Sequence, residues 1–267
     1  MSEGSNTVRD IRKSILKMAH YSRASHIGSC LSVVEILYVL YFKVAAIDPE
    51  DPGKKDRDRI ILSKGHGSAA LYATLAERGF FHKSLLDKYY IDGGVLPGHL
   101  DILSVPGIEV SSGALGHGLS LGLGMAIANK RTENCGKVFV ILGDGECNEG
   151  SVWEAVMLGG THKLDNIVAI VDCNKLQGFG RTNNIINQDN LGERWNAFGW
   201  EVFEVDGHNE CALEQVLTFP QKGPRVVVAH TTKGRGVTFM EDKLEWHYKS
   251  PNDAQLNEGL RELEQDL

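Results

Sequence analysis

Two uninterrupted apolar runs, Val138 to Leu142 and Ile167 to Val171, flank a helix-length stretch from Glu149 to Leu158. A run of this kind suits a strand covered on both faces, which in practice means a parallel sheet with helices packed above and below it. Strand, helix and strand then form a βαβ unit with a right-handed crossover. Arg59 to Ser63, Glu201 to Val205 and Arg225 to Ala229 predict further strands, the last two separated by a helix around Cys211 to Leu217. The predicted fold is therefore α/β, a mainly parallel sheet with helices on both faces.

The rest of the chain fits that frame. Val8, Ile11, Ile15, Leu16 and Met18 recur at helical spacing from Val8 to Tyr21, and a second helix is predicted over Ser32 to Val44, after a Gly-containing break from His26 to Ser29. The Ser68 to Gly79 segment, rich in Ala and Leu, predicts a helix ending at its glycine. Phe80 to Val110, punctuated by Gly and Pro, predicts a loop with one short helix near Ser84 to Tyr90. Gly113 to Asn129 predicts a helix despite its glycines, which suggest a backbone that approaches something closely. The aromatics Trp195, Phe198 and Trp200 are expected to pack rather than to bind. A chain of 267 residues that is 42% hydrophobic can form one large domain, 1–267, with a charged end over 251–267 that forms a surface helix or a loose tail.

A net charge of -7 without a basic stripe argues against nucleic acid. Five scattered cysteines without CxxC spacing are expected as free thiols in a reducing cytoplasm, and no run approaches the roughly 18 apolar residues of a membrane span.

In doubly wound sheets ligands sit beyond the carboxyl ends of the strands. Two polar loops collect there, Gly143-Asp144-Gly145 after one strand and Asp172-Cys173-Asn174 after the next. Magnesium takes oxygen ligands and commonly bridges carboxylate to phosphate, so Asp144 and the Asn174 amide oxygen make half a cage. The helix beginning near Glu149 aims its positive end at the same place. Taken alone, Asp-Gly after a strand is more often a plain turn.

The GDGECNEGSVWEA segment running to VDCNKLQ resembles the thiamine-diphosphate fingerprint, a GDG followed some thirty residues later by Asn. With SHIGSCLS, LSKGHGSAALYA, GHLD and SSGALGHGLS, nearly the whole chain resembles the diphosphate-binding part of transketolases. The resemblance implies that Asp144, Asn174 and the Leu176 carbonyl hold Mg²⁺ or another divalent cation such as Ca²⁺ or Mn²⁺, and that Gly145 and Glu146 lie at the diphosphate. It implies that His26, His66, His99 and His247 surround the thiazolium and the donor sugar, with His66 on the cofactor. Gly113 and Gly116 would let the backbone approach the cofactor, and His117 stands where many members carry Gln. Glu149 corresponds to a glutamate near the subunit interface, although an acid at a helix start also complements the dipole. Lys64 replaces a common Asn and receives no role.

The resemblance further implies transfer of a two-carbon ketol group from a ketose donor, phosphorylated or sulfonated, to an aldose acceptor. The glutamate that activates the aminopyrimidine belongs in this family to a second, pyrimidine-binding domain. A companion subunit carrying that domain is the expected partner, as an α₂β₂ heterotetramer. The alternatives are a different ketose-cleaving thiamine enzyme and a cofactor-holding subunit without catalysis. A Rossmann-like nucleotide binder is opposed by the lack of GxGxxG after the first strand.

Overall fold

The computed structural model describes residues 3–265. Its frame is a five-stranded sheet built from β1 (Arg59–Leu62), β2 (Val138–Gly143), β3 (Ile167–Cys173), β6 (Glu201–Asp206) and β7 (Arg225–His230), in the order β1-β2-β3-β7-β6. Every adjacent pair is parallel, as the apolar runs require, with Ile61 beside Val140 and Val140 beside Ala169. From β3 the chain crosses to the edge at β6 and returns to place β7 between them.

Alternate strand residues feed two separate cores. Ile60, Phe139, Ile141, Val168, Ile170 and Val227 face α1 (Glu3–Ser22), α2 (Ile27–Ser32), α3 (Val34–Val39), α4 (Ser68–Arg78) and α9 (Glu210–Thr218). Ile61, Val138, Val140, Leu142, Ala169 and Val226 face α5 (His117–Arg131), α6 (Gly150–His162) and α8 (Leu191–Ala197). The central strands are buried on both faces because period-two side chains meet a helical layer on each side. Trp195 and Trp200 meet edge to face at 4.8 Å inside the second core, so they pack as expected.

Several boundaries differ from expectation. The break at His26 to Ser29 is shorter, since α2 begins at Ile27 and contains Gly28. Gly28 is there for space: a Cβ on it would stand 3.0 Å from Lys233 Cγ. The helix expected from Gly113 starts only at His117, because Gly116 adopts a left-handed φ of 84° that ends the preceding loop. A small hairpin of β4 (Leu176–Gln177) and β5 (Gly180–Arg181), the short α7 (Thr182–Ile185) and α8 carried no recognised signal. The charged end forms α10 (Asp253–Gln265), which lays Leu256 and Leu263 into the core on the α1 side. Among the described residues no helix is long and apolar enough to cross a membrane.

Candidate active site

The carboxyl ends of β1, β2, β3 and β7 open into a cavity of about 390 Å³. Its floor is the pair of loops singled out by sequence. Asp144, almost fully buried, follows β2; its Oδ1 accepts from the Gly145 N–H at 2.9 Å and its Oδ2 from the Lys175 N–H at 2.8 Å and the Thr182 hydroxyl at 2.9 Å. Asn174 follows β3 and turns its Oδ1 to the Leu176 N–H at 3.1 Å. Gln188 ties the same floor from below, donating Nε2 to the Asp144 carbonyl at 3.0 Å. Burial raises the pKa of Asp144 against the lowering effect of the Thr182 hydrogen bond. A carboxylate desolvated in this way gains most from a cation.

Four histidines from four separate segments meet across the cavity. His26 precedes α2, His66 lies in the turn Gly65–Gly67 after β1, His99 comes from the long loop and His247 from the short turn Leu244–His247. The His26 ring lies 5.0 Å from His66, 6.3 Å from His99 and 4.9 Å from His247, centroid to centroid. His26 takes a left-handed φ of 68°, and its N–H donates to the His247 carbonyl at 2.8 Å, which locks two of the four loops together. Ser25 Oγ meets His26 Nδ1 at 2.8 Å. Burial pushes His26 down to about 4 and His247 to about 3, and drives His66 well below the usual histidine range. These three imidazoles are neutral near pH 7, able to donate at one nitrogen and accept at the other.

Two lysines stand behind the ring of histidines. Lys64 is buried and donates to the Asp172 carboxylate and, at 3.1 Å, to the Ser29 carbonyl. Lys233 reaches the Leu176 carbonyl at 2.9 Å and His247 Nδ1 at 2.8 Å, and burial together with Lys64 lowers it to about 8. Asp172 is completely buried and also accepts from Ser32, at 2.6 Å, and from Thr231.

Most of the residues expected at the site line this cavity, and three differ in what they do there. Glu146 lines it, but its oxygens accept from Ser63, from the Gly116 N–H at 2.9 Å and from the Gly143 N–H at 3.1 Å, so it braces three loops. Gly116 and His117 lie past the lining, which consists there of Gly113 and Leu115. Gly116 is small for α6, since a Cβ on it would collide with Ser151 Oγ, and exposed His117 opens α5. Glu149 lines the cavity as an exposed residue just before α6, without a side-chain hydrogen bond to the helix. Gly145 makes room for Gln177, whose Cβ would be 2.9 Å from an added Cβ. Ser29, Lys233, Leu115, Gln177 and Tyr248 also line the cavity without having been singled out. Lys233 sits in KGRG, a surface-like sequence whose burial only the fold reveals.

The residues present fit a diphosphate with a hard cation. Among the described residues no cluster of three His, Cys, Asp or Glu could hold a metal, and the oxygens a hard cation would meet at this floor are those of Asp144, Asn174 and Leu176, to be completed by phosphate or water. The buried Nε2 of Gln177 has no hydrogen-bond partner and the Lys233 ammonium lines the same cavity, so a donor and a positive charge are on hand for an anionic group. Glu146 lines the same cavity while its carboxylate takes the Ser63, Gly116 and Gly143 donors.

Compared with known proteins, residues 4–262 match the family described as transketolase, thiamine diphosphate binding domain. The chain is 42% identical over 262 residues to an apulose-4-phosphate transketolase subunit of Phocaeicola vulgatus, covering 96% of this chain and 92% of that protein. It is 40% identical over 260 residues to the 6-deoxy-6-sulfo-D-fructose transketolase subunit SqwG of Clostridium sp. (strain MSTE9), covering 96% and 94%. The solved structure of transketolase from Campylobacter jejuni superposes with a TM-score of 0.88 at 29% identity, over 98% of this chain and 42% of that one.

Proposed function

We propose, from the premise that the chain belongs to the transketolase family through its thiamine diphosphate binding domain, that it is the cofactor-binding subunit of a two-subunit transketolase. It is a transferase that moves a ketol group between sugars. Relatives of matching length are named as transketolase subunits, which supports a companion chain carrying the rest of the site. We infer an α₂β₂ assembly in the cytoplasm, with magnesium or a similar cation at Asp144, Asn174 and the Leu176 carbonyl.

The bound cofactor supplies a nucleophilic carbon that takes up and passes on the two-carbon unit. What this chain adds is binding, orientation and proton handling. The oxygens of Asp144, Asn174 and Leu176 would carry the cation, while Lys233 would offset diphosphate charge. The imidazoles of His26 and His99 accept and return the protons of the donor hydroxyls, and His247 and His66 hold the sugar and the cofactor. The single observation that carries this reading is the convergence of four histidines, within 6.3 Å of His26, over the Asp144–Asn174 floor.

The donor is a ketose bearing phosphate or sulfonate, as the names of the two relatives suggest. The test is donor consumption with thiamine diphosphate and Mg²⁺ over phosphorylated and sulfonated ketoses, with this chain alone and then with its companion. Turnover only with the companion supports the proposal and identifies the donor. Turnover by the chain alone would remove the need for a second subunit, and cofactor binding without turnover in either state would mark a non-catalytic subunit.

A further inference from the structure

The orientation of Asn174 is the starting point. A primary amide offers oxygen on one side and nitrogen on the other, nearly equal in shape, and only its partners decide which faces where. A hard cation is bound by the oxygen alone. In this chain the Asn174 Nδ2 donates to Asp172 Oδ2 at 3.3 Å, and the Oδ1 accepts from the Leu176 N–H at 3.1 Å.

Asp172 is well built to fix that choice. Being completely buried, it exchanges no partner with water. Its Oδ2 receives three donors, Ser32 Oγ at 2.6 Å, Lys64 Nζ and Asn174 Nδ2, and its Oδ1 receives Thr231. The ammonium of Lys64 lies against it and each of these four partners is a donor, so toward Asn174 the group stands as an acceptor. If the Asn174 amide were reversed, its oxygen would face that carboxylate and its nitrogen would face an N–H. Both contacts would be repulsive.

We propose that Asp172, surrounded by donors that include Lys64, is a positioning residue that turns the amide oxygen of Asn174 toward the cation. It touches neither metal nor cofactor and works through Asn174 alone. Lys64 shares the role, as the ammonium that packs against this buried orienting acceptor. The inference rests on the metal site proposed above.

The test compares two double variants that both lack the buried charge pair. In Lys64→Met/Asp172→Asn an amide oxygen remains to accept from Asn174 Nδ2, whereas in Lys64→Met/Asp172→Leu no acceptor remains. Each is examined in the full chain with its companion subunit, by calorimetric titration of thiamine diphosphate at a series of Mg²⁺ concentrations. The Mg²⁺ needed for half-maximal cofactor binding should be roughly five- to tenfold higher for the leucine variant than for the asparagine variant, the factor one orienting hydrogen bond supplies. Should the leucine variant not fold, Lys64→Met/Asp172→Val carries the same contrast. Equal Mg²⁺ requirements in the two folded variants would overturn the proposal, because loss of packing or charge alone affects both alike. Wild-type chain that binds the cofactor without any dependence on Mg²⁺ would overturn the metal site itself, and the inference with it.

Discussion

At the scale of single residues the most informative is His26, a non-glycine residue at a φ of 68°. Left-handed backbone costs such a residue stability, and it persists where surrounding contacts fix it. Here the fixing contacts are its N–H to the His247 carbonyl and its Nδ1 to Ser25, so the strain serves to aim an imidazole. His26→Ala should slow donor cleavage by roughly a hundredfold or more while thiamine diphosphate affinity, read by calorimetry, stays nearly the same. A large loss of cofactor affinity would instead put His26 on the cofactor. Asp144→Ala should abolish metal-dependent cofactor retention on a desalting column. The depressed histidines also make a pH prediction. An unfolded histidine takes its proton near 6.5, whereas folded His26 does so only near 4. Between those values the unfolded chain binds the extra proton, so this contribution is absent above about 6.5 and destabilises progressively as pH falls toward 4. His26→Gln should therefore gain stability relative to the wild type as urea denaturation is repeated from pH 7 down to pH 4.5. A constant difference would mean that the two states titrate alike.

At the scale of elements, glycines had two meanings that sequence alone did not separate. Gly28 reads as a breaker and is a packing residue inside α2. Gly116, expected near the cofactor, is in addition the left-handed residue from which α5 starts, pressed against the beginning of α6. In α5 the inward glycines set the distance from helix to sheet, since a Cβ on Gly122 would stand 2.5 Å from Val140 Cγ2 and one on Gly118 would collide with Ser63. Gly122→Ala should lower stability by about 1–3 kcal/mol, the usual cost of overpacking, measurable as a shifted urea midpoint with an unchanged slope. Gly124 faces open space, so Gly124→Ala should be neutral or slightly stabilising through helix propensity. The helices α7 and α8 and the β4–β5 hairpin escaped notice for another reason. Each is held by long-range partners such as Thr182 on Asp144 and Trp195 in the second core, and none carries enough local pattern to announce itself.

At the scale of the whole molecule, the two-sided sheet leaves the cavity at one end of the strands and unmet apolar side chains on the α5–α6 layer. Leu121, Met157 and Leu158 are all more than two-fifths exposed. Scattered apolar exposure is ordinary, but neighbouring helices of one layer that both carry it suit an intersubunit contact. Joint replacement Leu121→Asp/Met157→Asp should reduce the mass of the assembly in light scattering while the circular dichroism of the isolated chain is kept. An unchanged mass would move the contact to another face.

The sequence by itself determined the fold class and the floor of the site. Continuous apolar strands demand cover on both faces, and GDG and DCN at their ends are local patterns that survive any arrangement of the surroundings. The four histidines were legible only through wording shared with a family, because they lie in separate segments from residue 26 to residue 247. What the tertiary structure decided was everything set by distance between remote residues. It assigned Lys64 to Asp172, buried Lys233 beside His247, left Gly116 and His117 out of the cavity wall, and gave Glu146 the Ser63, Gly116 and Gly143 donors to hold. A side chain's charge and hydrogen-bonding groups are written in its own identity; its burial and its partners belong to the packed chain, and those are what convert a polar residue into either a ligand or a support.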